Sequence, residues 1–107
     1  MIHVRVKRTG GHITGLQVKG HSGSAPKGED IVCAGVSALV QTLYFSLQKL
    51  LQLELAAEIR DGYFDLDMPQ DLPESVREKA ALLAEGTLVG LVSMEKSYPE
   101  YLQVHDE

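Results

Sequence analysis

His21 and Cys33 are the two residues of this sequence whose side chains and spacing suit nucleophilic chemistry. A cysteine thiolate is a strong nucleophile, and an imidazole can accept and return the proton that such a reaction moves. The sequence places Cys33 in the first turn of a helix, where unpaired backbone amides and the helix dipole favour thiolate over thiol. The pair therefore suggests thiol-based catalysis, with Cys33 as nucleophile and His21 as general base.

Spacing alone leaves other interpretations open. Free cysteine is among the most buried residue types, so Cys33 could be a small core residue and His21 an ordinary loop residue. Asp30 could orient His21 as the third member of a triad or cap the helix that follows it, and we favour the cap. Ser37, one helical turn after Cys33, could bond the thiolate or an oxyanion, or equally the preceding turn of its own helix.

The segment between the two candidate residues is rich in residues that break regular structure. Three glycines and a proline fall within residues 20–29, which predicts a mobile loop that is poorly ordered without substrate. Glycines let backbone approach a substrate closely, and a flexible loop can close over it. The residues of this loop that we assign to substrate contact are Gly20, Ser22, Gly23 and Gly28.

Composition excludes several classes of function. The formal charge of −5 argues against a surface that neutralises phosphates, so we expect no nucleic-acid partner, whereas a basic polypeptide would be favoured. A single cysteine cannot form an intramolecular disulfide, and a reducing cytoplasm fits it best. The other histidines, His3, His12 and His105, are scattered in sequence, and we expect neither a metal site nor a cofactor.

Hydrophobic periodicity predicts a single α+β domain spanning residues 1–107, with the order ββαββαβ and a mostly antiparallel sheet packed with two helices. The first strand alternates apolar and charged residues from Ile2 to Lys7, unlike a secretion signal. A second strand runs through Gly20, with a possible bulge at Gly15 because Ile13 is out of phase with Leu16. A hairpin on Asp61-Gly62, a second helix from about Asp71 and a last strand near Tyr101 follow.

The run from Ile31 to Gln48 carries no charge and predicts a central, buried helix. Its length approaches that of a membrane span, but interruptions such as Ser37 and Gln41 and the lack of a basic flank at its start argue against membrane insertion. So much apolar surface exceeds what one small sheet can cover. We therefore expect a homodimer.

Two segments resemble the signature of a known family. Residues 20–23, Gly-His-Ser-Gly, and residues 28–39, Gly-Glu-Asp-Ile-Val-Cys-Ala-Gly-Val-Ser-Ala-Leu, are similar in order and spacing to the ribosomal-processing cysteine protease family (Prp). The size of the chain and its ββαββαβ order extend the resemblance over the full length. The resemblance implies a catalytic dyad of His21 and Cys33.

The same resemblance implies an activity and a substrate. Members of that family remove an N-terminal extension from a large-subunit ribosomal protein (L-twenty-seven), cutting at an apolar, Phe-containing stretch during ribosome maturation. The resemblance also agrees with the expected homodimer. The alternative function is a non-catalytic, ribosome-associated module that binds a basic ribosomal-protein tail.

Overall fold

In a computed structural model the chain forms five strands and two helices. The strands come from short segments in which apolar and polar residues alternate, and the helices from longer segments with apolar residues at helical spacing. The structure describes residues 1–21 and 30–106. The predicted mobility of the loop at residues 22–29 lies outside the described residues. The elements, in chain order, are β1 (Ile2–Thr9), β2 (His12–Lys19), α1 (Ile31–Leu51), β3 (Ala56–Arg60), β4 (Tyr63–Asp67), α2 (Glu74–Ser97) and β5 (Leu102–His105). The predicted single-domain α+β fold and element order are confirmed.

The five strands form one sheet in the order β3-β4-β2-β1-β5. Neighbouring strands are antiparallel except for β1 and β5, which are parallel. The Asp61-Gly62 turn joins β3 to β4 as predicted, and Gly62 has a φ of +71°, a conformation that glycine adopts without steric cost. The beginning of β1 and the ends of β2 and β3 therefore lie at the same end of the sheet.

A β-bulge lies next to the predicted position in β2. Lys7 pairs with Gly15 and Arg8 pairs with Ile13, so Thr14 is the additional residue of the longer strand. The bulge shifts the alternation by one residue, which places Ile13 on the buried face together with Leu16. The bulge therefore explains why Ile13 is out of phase with Leu16 in the sequence.

The prediction of a central, buried helix is met only in part in the single chain, because helix α1 is buried on one side only. Its buried residues follow one helical stripe and pack in a core with side chains of the sheet and of α2: Val32, Val36, Val40, Leu43 and Leu47. Ile31, Phe45 and Leu50 are exposed. By length and hydropathy α1 could also cross a membrane, although one such helix is weak evidence because core helices have the same character.

Arg8, next to the turn between β1 and β2, connects this part of the sheet to α2 and to Asp106. Its guanidinium donates hydrogen bonds to both carboxylate oxygens of Glu85 on α2, at 2.8 and 3.2 Å, and to both of Asp106, at 2.7 and 2.9 Å. These hydrogen bonds raise the pKa of Arg8 and lower the pKa of Glu85 and Asp106 below their ordinary values. Bidentate pairs of this kind are among the stronger ion pairs of protein surfaces.

We expect the contribution of this network to depend on pH. Because both carboxyl pKa values are lowered in the folded state, the stabilisation is complete above the unfolded values near 4 and is lost as the pH falls through the folded values. Replacing Arg8 with glutamine should lower the free energy of unfolding by about 1 kcal/mol at pH 7, since the pairs are partly exposed, and by less at pH 3. Urea unfolding at both pH values measures this.

Arg5→Gln is the matched control, because Arg5 lies on the same strand and is exposed. It should change stability little at either pH. An equal loss at pH 7 and pH 3 for the Arg8 variant would show that the network acts through packing of the side chain rather than through charge.

Candidate active site

His21 lies two residues beyond the end of β2, in a position that the preceding glycine allows. Gly20 has a φ of +102°, and a Cβ at this residue would collide with the carbonyl oxygen of Met1. Its amide donates to the carbonyl oxygen of Gly62 at 3.0 Å. Any other residue at position 20 would therefore strain the backbone and displace the chain that carries His21.

The imidazole of His21 rests against the turn between β3 and β4. Its Nε2 atom lies 2.5 Å from where a Cβ of Gly62 would be, so a side chain at position 62 would push into the ring. The carbonyl oxygen of His21 accepts a hydrogen bond from the Met1 ammonium group. His21 is exposed, but its backbone is held by Met1 and its ring lies against Gly62.

Cys33 is the third residue of α1 and is half-buried. Asp30 caps this helix: its Oδ1 atom accepts a hydrogen bond from the Cys33 amide at 3.0 Å, as the cap interpretation predicts. The cap fixes the first turn and with it the backbone of the candidate nucleophile. A role of Asp30 in orienting His21 stays a prediction.

One cavity of about 110 Å³ joins the candidate residues. Gly20, His21, Cys33 and Ser37 all line it, although 12 positions separate the histidine from the cysteine. Most other lining residues are apolar and come from both the sheet and α1: Ile2, Val18, Val36, Val40, Ile59 and Phe64. A cavity of this size with apolar lining can bind one side chain of an extended peptide, while the thiol beside it attacks the neighbouring backbone carbonyl.

The predicted loop residues are only partly described. Gly20 lines the cavity, whereas Ser22, Gly23 and Gly28 lie outside the described residues. Ser37 is exposed, lies one turn after Cys33 and lines the same cavity. Its part in catalysis stays a prediction.

The sequence interpretation missed the β3–β4 turn as a wall of this cavity. Arg60, Asp61, Gly62 and Tyr63 all line it, and the Arg60 guanidinium lies 4.2 Å from the centre of the Tyr63 ring. A cation over an aromatic face stabilises this wall. Nothing in the local pattern places this turn beside Cys33 and His21, which lie 27 or more positions earlier in the sequence. Gln41, two turns after Cys33, also lines the cavity, and its i+8 spacing was a usable signal.

Two of the histidines that are scattered in sequence meet in the sheet, where β1 pairs with β5. His3 and His105 stack with ring centres 5.3 Å apart, and Nδ1 of His3 lies 3.0 Å from Nε2 of His105. Burial lowers the pKa of His3, and the nearby charges of His105, Arg5 and the amino terminus lower it further. Within residues 1–21 and 30–106, no group of three or more His, Cys, Asp or Glu side chains could hold a metal ion.

Comparison with known proteins decides the family. The family model described as cysteine protease Prp matches residues 1–103. The chain belongs to the cysteine protease Prp family. It is 35% identical over 109 residues to the ribosomal processing cysteine protease Prp of Bacillus subtilis strain 168, covering 97% of this chain and 96% of that protein.

Solved structures support the same fold. The structure of the essential ribosomal processing protease Prp of Staphylococcus aureus, with a covalently linked product peptide, matches with a TM-score of 0.88 at 25% identity and covers all of both chains. A Streptococcus mutans protein matches with a TM-score of 0.81 at 32% identity, over 99% of this chain and 93% of that one. The chain is therefore a cysteine protease, and the alternative of a non-catalytic binding module is not retained.

Proposed function

We propose that this chain is a cytoplasmic cysteine endopeptidase that removes the N-terminal extension of a large-subunit ribosomal protein, L-twenty-seven, during ribosome maturation. The observation that carries the proposal is the single cavity that both His21 and Cys33 line, with a mostly apolar wall beside them. The names of the Bacillus subtilis and Staphylococcus aureus relatives, which describe ribosomal processing, support the class of substrate. The net charge of −5 favours the approach of a basic ribosomal-protein tail.

In this mechanism the Cys33 thiolate attacks the scissile carbonyl carbon, and the carbonyl π electrons move to its oxygen. His21 holds the proton from the thiol and donates it to the leaving amine as the carbon–nitrogen bond breaks, which leaves a thioester on Cys33. Water then attacks the thioester, His21 removes its proton, and the carboxylate product leaves as the thiol is restored. No cofactor enters any step.

The developing oxyanion requires hydrogen-bond donors near the start of α1. The Cys33 amide already donates to the Asp30 side chain, and the Ala34 amide to the Asp30 carbonyl oxygen. We therefore assign the oxyanion to the backbone amides of Ile31 and Val32, with support from the Ser37 hydroxyl on the next turn. The N-terminal end of the helix dipole stabilises the same charge.

A synthetic peptide that spans the N-terminal extension and the Phe-containing stretch of the ribosomal protein tests the function. Mass spectrometry after incubation should show cleavage at one bond within the apolar stretch. A second peptide of the same composition in scrambled order is the control and should stay intact. Equal cleavage of the two peptides, or of neither, would contradict the proposed substrate.

The proposed assembly is a homodimer formed through the helices. Leu82 and Val89, seven residues apart on α2, are 72% and 68% exposed, and Phe45 on α1 is also exposed. Apolar side chains on one helix face are typical of an interface between subunits. A sedimentation mass of 11.7 kDa at micromolar concentration, the mass of one chain, would contradict the dimer.

A further inference from the structure

Strand β3 is an open edge of the sheet. It stands at the end of the strand order, and in the described part of the chain its backbone ladder is formed with β4 alone. All five of its residues, Ala56–Arg60, are exposed. The strand has no proline, lysine or bulge, features that often prevent an edge strand from pairing with another chain, and its two charged residues, Glu58 and Arg60, form an ion pair with each other. It is therefore suited to accept a further strand.

The register of the hairpin shows which backbone groups point outward. Arg60 pairs with Tyr63 across a two-residue turn, and the residues that flank such a turn exchange both of their hydrogen bonds. Hydrogen-bonded and non-hydrogen-bonded pairs then alternate along the ladder. The N–H and C=O groups of Ile59 and Ala57 consequently point away from β4, toward the open edge.

The C-terminal end of the open edge strand lies at the candidate active site. Ile59 and Arg60 at the end of β3 line the same cavity as His21 and Cys33. Ile59 is 45% exposed and pairs with the buried Phe64, so its side chain is on the sheet face that α1 covers further along. A peptide lying along β3 would therefore continue into the cavity that holds the thiol.

We propose that β3 binds the substrate by strand addition: an extended segment of the peptide next to the scissile bond pairs with the outward backbone groups of Ala57 and Ile59. This inference rests on the proposed peptidase function and adds the surface that holds the substrate. Backbone pairing supplies affinity without regard to sequence, and alternate side chains of the peptide face the apolar cavity wall. Selectivity should accordingly fall on every second substrate residue.

Ala57→Pro tests the pairing because proline removes the outward N–H without removing a ladder hydrogen bond to β4. Ala57→Val is the matched control, since it adds a side chain of similar bulk and keeps the N–H. We expect the proline variant to raise KM for the ribosomal-protein peptide about threefold to tenfold relative to the valine variant, the effect of one lost hydrogen bond, with kcat nearly unchanged. Circular dichroism melting should show that both variants fold.

A set of substrate peptides, each with one backbone amide replaced by an ester, supplies a second measurement. Strand addition predicts that cleavage efficiency falls at every second position along the bound segment, because alternate amides pair with β3. Equal KM values for the proline and valine variants, together with no alternation in the ester series, would overturn the proposal.

Cleavage of unfolded β-casein tests strand addition independently of the proposed ribosomal-protein substrate. If the ribosomal-protein peptide is not cleaved but casein is, the substrate assignment fails, and slower casein cleavage by Ala57→Pro than by Ala57→Val still supports strand addition. If casein is cleaved equally by the two variants, strand addition fails whatever the natural substrate is. Failure of the wild-type protein to cleave either substrate overturns both proposals.

Discussion

Replacing Cys33 with serine should reduce cleavage of the ribosomal-protein peptide to the detection limit while the protein still folds and binds the peptide. The change replaces one sulfur atom with oxygen, but the hydroxyl is far less acidic than the thiol and gives no useful nucleophile beside a single imidazole. Cys33 is only half-buried, so we expect the free energy of unfolding to change by less than about 1 kcal/mol. Cleavage is measured by mass spectrometry and binding by the fluorescence anisotropy of a labelled peptide.

Ala34→Ser is the control for this experiment. Ala34 is exposed in the same helical turn, so the variant adds a hydroxyl beside the nucleophile and leaves the thiol in place. It should retain most of the activity. Cleavage by Cys33→Ser at the wild-type rate would exclude Cys33 as the nucleophile and restore the interpretation of this residue as a small core residue.

Replacing His21 with alanine should lower turnover by at least the roughly 100-fold to 10,000-fold typical of general acid–base catalysis. The Cys33 thiol can still ionise at the start of α1, but no imidazole remains to protonate the leaving amine. Because His21 is exposed, the melting temperature should change little. Steady-state cleavage kinetics of the ribosomal-protein peptide measure the loss.

Alkylation by iodoacetamide separates the two possible effects of His21. The wild-type thiol should react at pH 7 faster than a thiol with the ordinary pKa of about 8.5, and the His21 variant should react more slowly if the imidazole stabilises the thiolate. His12→Ala is the matched control, because His12 begins β2 at the end of the strand opposite His21. Equal loss of activity in both histidine variants would point to a general effect on β2 and would contradict a catalytic His21.

Local patterns predicted those parts of the fold that depend on neighbouring residues. Alternation and turn residues indicated the hairpin at Asp61-Gly62, and Asp30 before an uncharged run indicated a helix cap. The same patterns could not show that β5 lies parallel to β1, because that pairing joins residues about 100 positions apart.

The candidate site was predictable only where its residues are close in sequence. His21 and Cys33 flank one loop, and the family signature includes both. The β3–β4 turn lies at the cavity because of the tertiary arrangement of the sheet. Local periodicity does not show which elements are neighbours, so it could not predict this position. The apolar composition of α1 indicated more hydrophobic surface than one sheet covers but could not show which residues, such as Phe45, are left outside the core of a single chain.

The turn between β1 and β2 offers a place to attach a reporter without disturbing the enzyme. Gly10 and Gly11 have no neighbouring atom within 4 Å of an added Cβ, and they lie at the end of the sheet opposite His21. Cys33 is the only thiol in the sequence, so a thiol-directed probe would mark the candidate active site alone. A short peptide tag inserted between Gly10 and Gly11 would therefore allow the protein to be immobilised with its candidate active site facing solution.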